Sequence, residues 1–357
     1  VGDNLEVARD DLHRTRTVED QPALDADQVR LSVDAFGLSS NNITYAVFGD
    51  AMKYWDFWPA EEGWGRVPVW GYATVLESRH GGVPEGTELY GYLPMSSEAV
   101  LTVAKADEHG ISEGSSYRLP LPSPYNRYSL VAGDPGHEPE HRPQQMVLRP
   151  LYATGWMMAD QITDEDGYGA EQVLLSSASS KTAISTAFSL RGGGARLVGL
   201  TSTGNVDFVE GTGIYDEVVT YDAVGDVAGD TAVFVDMAGN GDLRRAVHDR
   251  FGDGLKHSAV VGATHWNAEG GPDMGGGELP GPRPTFFFAP DRIAKRSKDW
   301  GPGRFDERLD SSWDEFVREG TGWMRIEEVH GAEQVEATYQ QLLDGSADPA
   351  LGFVCDL

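Results

Sequence analysis

Cysteine is nearly missing: Cys355 is the only one in 357 residues, which excludes an intrachain disulfide and any cysteine cluster for a structural zinc. Lysine is also scarce, with six residues, and 28 Lys and Arg stand against 57 Asp and Glu for a formal charge of -29. Such a surface repels polyanions, so nucleic acid and anionic membranes are not expected as partners. The bias suits a medium of high ionic strength, where like charges are screened. No stretch approaches the roughly 20 consecutive apolar residues that span a bilayer. Val1 to Leu5 carries neither a basic nor an apolar leader pattern, so a cytoplasmic location is the expectation.

What is present suits two domains, because single cores stop growing at roughly 250 to 300 residues. Val29 to Phe36 alternates apolar and polar side chains, the period of a half-buried strand. Short strands bounded by Gly or Pro follow at Val67 to Ser78 and Thr87 to Leu93, so the first 150 residues read as a small barrel with long loops. Tyr152 to Ala159 has helical apolar spacing and leads into the buried-strand run Gln172 to Leu175. Further β-branched runs lie at Arg196 to Thr201, Glu217 to Tyr221, Thr231 to Val235 and Ser258 to Val261. Helix candidates separate them at Lys181 to Leu190, Asn205 to Gly211 and Asp242 to Phe251, which predicts a doubly wound parallel sheet. Residues 267 to 284 read as a Gly- and Pro-rich loop before a strand at Thr285 to Phe288, and the tail reads as a helix over Gly331 to Gly345 and a final strand.

The first strand-to-helix turn, Ser176-Ser177-Ala178-Ser179-Ser180-Lys181-Thr182, has no glycine where a dinucleotide site usually has three. Small side chains and backbone N–H groups at a helix N-terminus still let a pyrophosphate approach, and Lys181 adds positive charge. A serine-rich helix cap beside a solvated lysine would use the same residues. The next strand ends in Thr201-Ser202-Thr203-Gly204-Asn205, without the acidic residue that holds an unphosphorylated ribose. NADPH is therefore expected over NADH. Thr201, Ser202, Thr203 and Asn205 are the candidate partners of the 2′-phosphate, although such residues also cap helices well. Tyr221, closing the third strand run, joins the cofactor candidates.

This order of pieces resembles the zinc-independent quinone oxidoreductase and enoyl reductase branch of the medium-chain dehydrogenase/reductases. The resemblance rests on Ala35-Phe36-Gly37-Leu38 with Asn41-Asn42, on Pro68 to Val75, on Gly86 to Gly91 and on the tail. Asn42 to Tyr45, Tyr54 to Pro59, Gly91 to Ser96 and the serine-rich turn resemble a narrower quinone-oxidoreductase-like group. The resemblance implies a GroES-like barrel domain from residues 1–150 and 320–357, with a Rossmann domain inserted over 151–319. No catalytic metal is expected, since His80, His109, His137 and His141 lack a recognisable ligand spacing.

Without a metal, reduction of a conjugated C=C, a quinone or a ketone needs a group that polarises the oxygen. Tyr45 and Tyr54 are the candidates, with Asn42 as a hydrogen-bond donor to cofactor or substrate. Trp55 and Trp58, beside Phe57 and Trp64, are expected to line an apolar or aromatic pocket for a small-molecule substrate. His265, as a cofactor contact, and Trp266, as a pocket residue, follow a strand at the edge where ligands bind such sheets. The alternative is a non-redox lyase or isomerase, or a nucleotide-binding sensor, on the same scaffold. A homodimer is left open.

Overall fold

The computed structural model describes residues 2–133, 138–261, 278–301 and 303–357. The chain divides into two compact units, Val1–Val147 with Arg325–Leu357, and Leu148–Met324. Nine strands come first: β1 (Gly2–Ala8), β2 (Asp11–Asp20), β3 (Gln28–Leu38), β4 (Trp64–Arg66), β5 (Pro68–Ser78), β6 (Glu88–Pro94), β7 (Glu98–Asp107), β8 (Gly110–Glu113) and β9 (Arg127–Leu130). A helix, α1 (Ser40–Val47), follows β3. The alternation in β3 is real, with Val29, Leu31 and Val33 buried. This strand pairs with β5 on one side and β7 on the other, so β3-β5-β6-β9-β8-β7 closes into a six-stranded barrel. The expected GroES-like barrel is thus borne out. Beside it β2-β1-β4 forms a separate three-stranded sheet.

Gly91 of β6 explains one local feature of the barrel. A Cβ there would come within 2.3 Å of the Tyr128 ring, so the missing side chain lets Tyr128 close over the strand. The Tyr128 hydroxyl then donates to the Tyr92 carbonyl at 2.6 Å.

The unit boundary falls inside α2 (Arg142–Asp164). After it come β10 (Gln172–Leu175), α3 (Lys181–Leu190), β11 (Arg196–Thr201), α4 (Val206–Gly211), β12 (Glu217–Thr220), β13 (Ala232–Asp236), α5 (Gly241–Phe251), β14 (Leu255–Val260) and β15 (Thr285–Phe286). The strands are parallel in the order β12-β11-β10-β13-β14-β15. Leu174, Val198, Leu200 and Phe234 from its strands share one core with Leu243, Val247 and Phe251 of α5. The doubly wound sheet expected from the alternating runs is present. Its order reverses between β10 and β13, the point at whose carboxyl edge such sheets bind ligands.

Two amphipathic helices, α6 (Ala289–Trp300) and α7 (Arg304–Glu319), complete this unit. The chain then returns to the barrel unit through β16 (Arg325–His330), α8 (Ala332–Leu343) and β17 (Leu351–Asp356). β17 pairs antiparallel with β3, and β16 runs parallel to β17. Among the described residues no helix is long and apolar enough to cross a membrane.

Candidate functional site

Ser176 follows β10 and is fully buried. Its hydroxyl donates to Asp236 at 2.9 Å and accepts the N–H groups of Met237 and Ala238 at 2.9 and 3.0 Å. Asp236 is held in turn by Arg244 of α5 through Nε and Nη2 at 3.0 and 2.8 Å, both side chains buried. Ser176 therefore fastens the carboxyl ends of β10 and β13 together at the switch point. Its hydroxyl is engaged in that task.

The next residue makes the turn a glycine would make. Ser177 has φ of 49°, a left-handed conformation that costs a residue with a Cβ roughly 1 to 2 kcal/mol. The Ser177 N–H donates to the Tyr221 hydroxyl at 3.2 Å. Burial pushes that phenol up to about 12, so at neutral pH it keeps its own proton. Tyr221 thus braces the turn. Ala178 packs under it with its N–H on Leu200 and its carbonyl on the Tyr215 hydroxyl, both at 3.0 Å. Gly199 of β11 permits this, since a Cβ there would sit 3.0 Å from Ala178 and the Tyr215 ring.

The mouth of the turn is polar and half-buried. Ser180 is the N-cap of α3, its hydroxyl accepting from the Ala183 N–H at 3.2 Å. Ser179 accepts from the Asn205 amide at 3.1 Å. Among the described residues the Ser179 and Thr182 N–H groups have no acceptor. The Lys181 ammonium lies 5.9 Å from the Trp323 ring. Thr201, ending β11, is buried and its hydroxyl has no hydrogen-bond partner among the described residues, whereas Ser202 and Thr203 are exposed. The structure thus brings Ser179, Ser180, Lys181, Thr182 and Asn205 to one helix N-terminus. His265 and Trp266 lie outside the described residues.

In the barrel unit, Asn42 forms a capping box with Ser39 at the start of α1. Its carbonyl accepts from the Ser39 N–H at 2.9 Å and its amide donates to the Pro68 carbonyl at 3.0 Å. Both ends of the side chain hold the fold. Trp55 is buried against Gly49 and Gly65, where a Cβ would fall within 2.0 and 2.4 Å of its ring. Trp58 lines a cavity of about 130 Å³ with Arg30, Arg66 and Tyr117.

Tyr45 and Tyr54 do meet, with ring centres 4.7 Å apart. Trp70 donates to the Tyr45 hydroxyl at 3.4 Å. Tyr92 from β6 joins Tyr45 edge-on at 5.6 Å, and Tyr125, from the turn Ser123–Asn126, lies 4.6 Å from Tyr92. Burial raises all four phenols, so each is a donor at neutral pH. Tyr92 and Tyr125 are not legible as site residues locally, because only closure of the barrel brings them to Tyr45.

The model of the family described as "Protein of unknown function (DUF2855)" matches residues 36–348. No curated protein matches the sequence. Among solved structures, CurA from Vibrio vulnificus is similar over 100% of this chain and 99% of its own, at 13% identity and a TM-score of 0.67. The same protein in complex with NADPH is similar over 96% and 94%, at 14% identity and a TM-score of 0.62. The yhdH oxidoreductase from Salmonella enterica in complex with NADP is similar over 99% of each chain, at 12% identity and a TM-score of 0.55. At these identities the likeness is one of fold.

Proposed function

The chain belongs to the family described as "Protein of unknown function (DUF2855)", and for it we propose an NADPH-dependent reductase of the medium-chain dehydrogenase/reductase type that acts on a conjugated C=C, a quinone or a ketone without zinc. The observation that carries the proposal is the open N-terminus of α3 beside the switch point of a parallel sheet ordered as in dinucleotide-binding domains. Complexes of two proteins of the same fold with NADPH and with NADP support it. Ser179, Ser180, Lys181 and Thr182 are the proposed pyrophosphate contacts.

The second contact region fits as well. The partnerless Thr201 hydroxyl and exposed Ser202 and Thr203 offer donors at the end of β11, and Asn205 lies at the same mouth. No carboxylate in Thr201 to Asn205 repels a 2′-phosphate. NADPH would supply the hydride, while this chain orients the cofactor and polarises the acceptor oxygen through Tyr45 or Tyr54. Zinc independence rests on donor chemistry: Cys355 is buried in β17, and burial raises its thiol so that the thiolate a metal needs is disfavoured.

Titration of the purified protein with NADPH and with NADH, followed by tryptophan fluorescence, tests the reading. Tighter binding of NADPH is expected. Equal affinities would remove the 2′-phosphate assignment, and binding of neither would remove the reductase. NADPH consumption with a quinone and with a conjugated enone then separates the substrate classes. A chelator should leave activity unchanged, and stoichiometric zinc by elemental analysis would contradict the metal-free chemistry.

A further inference from the structure

The cavity beside Trp58 is lined by none of Tyr45, Tyr54, Tyr92 and Tyr125 and by no residue of the turn after β10. It measures about 130 Å³ and lies in the barrel unit, where the ends of β2 and β4 contribute Asp20 and Arg66, and β3 and β7 contribute Arg30 and Glu98. Its mouth is at the surface, since Tyr117 is 46% exposed and the Asp20 side chain 43%. Arg118 separates it from the tyrosines: its guanidinium lies 4.6 Å from the Trp58 ring and 5.2 Å from that of Phe57, and Phe57 meets Tyr92 edge-on. A cavity of about 150 Å³ holds benzene, so this space suits a molecule of roughly six to eight non-hydrogen atoms.

The walls carry both signs of charge. Arg66 donates through Nε to Glu6 at 3.1 Å and through Nη2 to Asp20 at 2.9 Å, which leaves Nη1 without an acceptor among the described residues. Arg30 donates to the Pro22 carbonyl at 2.6 Å and to Glu98 at 3.4 Å, and its Nε stands 3.8 Å from Glu77, beyond hydrogen-bond reach. The Trp58 N–H is buried and has no acceptor among the described residues either. Spare donors on three lining residues suit a carboxylate. A lone anion is nevertheless poorly matched, because Glu6, Asp20, Glu77 and Glu98 outnumber Arg30, Arg66 and Arg16, which shares Glu6. A lone cation is poorly matched too, because two guanidiniums line the wall. A molecule with both charges meets both conditions, its ammonium group facing Asp20, Glu98 and the rings of Trp58 and Tyr117.

We infer that this cavity binds a small zwitterion, a carboxylate a few bonds from an ammonium group, as in an α-amino acid or a betaine. Its carboxylate takes the donors on Arg30, Arg66 and Trp58 that the protein's own groups leave open, and its ammonium adds the positive charge that the surrounding carboxylates favour. No net charge enters a neighbourhood that is already negative. The site is separate from the proposed reductase chemistry and does not depend on it.

Isothermal titration calorimetry of the full chain with L-alanine and with glycine betaine, at fixed ionic strength, tests the inference. Saturable binding of at least one at millimolar concentration is expected. Binding of L-alanine alone assigns the ammonium to hydrogen bonds with the carboxylates, and binding of glycine betaine alone assigns it to the aromatic rings. Sodium acetate and tetramethylammonium chloride, whose organic ions carry one charge each, should not compete. Asp20→Asn, at a half-exposed position, should weaken zwitterion binding by about tenfold, as for a lost interaction with a charged group. If that variant does not fold, Tyr117→Leu, at a more exposed position, carries the test with the same expected direction. Three results overturn the inference: no saturable binding of either zwitterion, competition by acetate or tetramethylammonium as strong as by the zwitterion itself, or equal zwitterion affinity in the folded variant.

Discussion

Lys181 stands at the first position of α3, where the helix dipole disfavours a cation unless an anion joins it. Its ammonium lies 5.9 Å from the Trp323 ring, at the mouth of the turn. Lys181→Ala should therefore weaken NADPH binding by about 1 to 3 kcal/mol, the loss of a charge-assisted hydrogen bond. An unchanged dissociation constant at fixed salt, with an unchanged melting temperature, would return this lysine to the surface. Arg244 is the opposite case, a buried cation whose role is to satisfy Asp236. Arg244→Met should destabilise the protein by about 3 to 5 kcal/mol, because it strands a buried carboxylate. Urea denaturation would show this as a lower midpoint at constant slope. A loss under about 1 kcal/mol would mean that water replaces the guanidinium.

The elements follow from local signals wherever one face of a strand or helix is buried. α3, α4, α5 and α8 start and stop within a residue or two of the sequence boundaries, since capping residues and glycines mark their ends. The Ser180 cap is the clearest such signal. Ser180→Ala should cost about 0.5 to 2 kcal/mol in chemical denaturation, and a smaller loss would mean that Ser179 or water takes over the cap. The β1–β2 hairpin is not legible, because β2 reads Asp11-Leu-His-Arg-Thr-Arg-Thr-Val-Glu-Asp20 and is an edge strand with no fully buried side chain. α6 escapes notice for a related reason: charged side chains dominate it, and Arg292 and Arg296 are buried through ion pairs with Asp160 and Asp164 in α2, whereas α7 carries a legible signal in Phe305, Leu309, Trp313 and Phe316 at helical spacing. The candidate site divides in the same way. The turn at Ser176 to Thr182 is contiguous and could be read. The gathering of Tyr45, Tyr92, Tyr125 and Arg118 depends on strand pairing across the barrel and could not.

At the scale of the whole molecule the scarcity of cations shows in the ion pairs, where several cations each serve two carboxylates. Arg16 is shared by Glu6 and Glu61, Arg66 by Glu6 and Asp20, Arg191 by Glu315 and Glu319, and Lys295 by Asp164 and Asp299. Each such group leaves a surplus of carboxylate charge, and over the whole sequence 57 Asp and Glu against 28 Lys and Arg give the net -29. Salt acts on this in two opposing ways. It weakens attraction within the exposed pairs, worth at most about 1 kcal/mol each, and it weakens repulsion among the unpaired carboxylates. Pairs in contact are screened less than charges a Debye length apart, and that length falls from about 10 Å at 0.1 M to about 3 Å at 1 M. Repulsion should therefore lose more than attraction. The melting temperature is expected to rise as sodium chloride goes from roughly 0.1 to 1 M, most steeply at the low end where the Debye length changes fastest. Sucrose stabilises by exclusion from the surface without screening, so it gives the comparison for effects unrelated to charge. A melting temperature that stays flat or falls across the chloride series would show that the ion pairs, not the surplus carboxylates, govern stability.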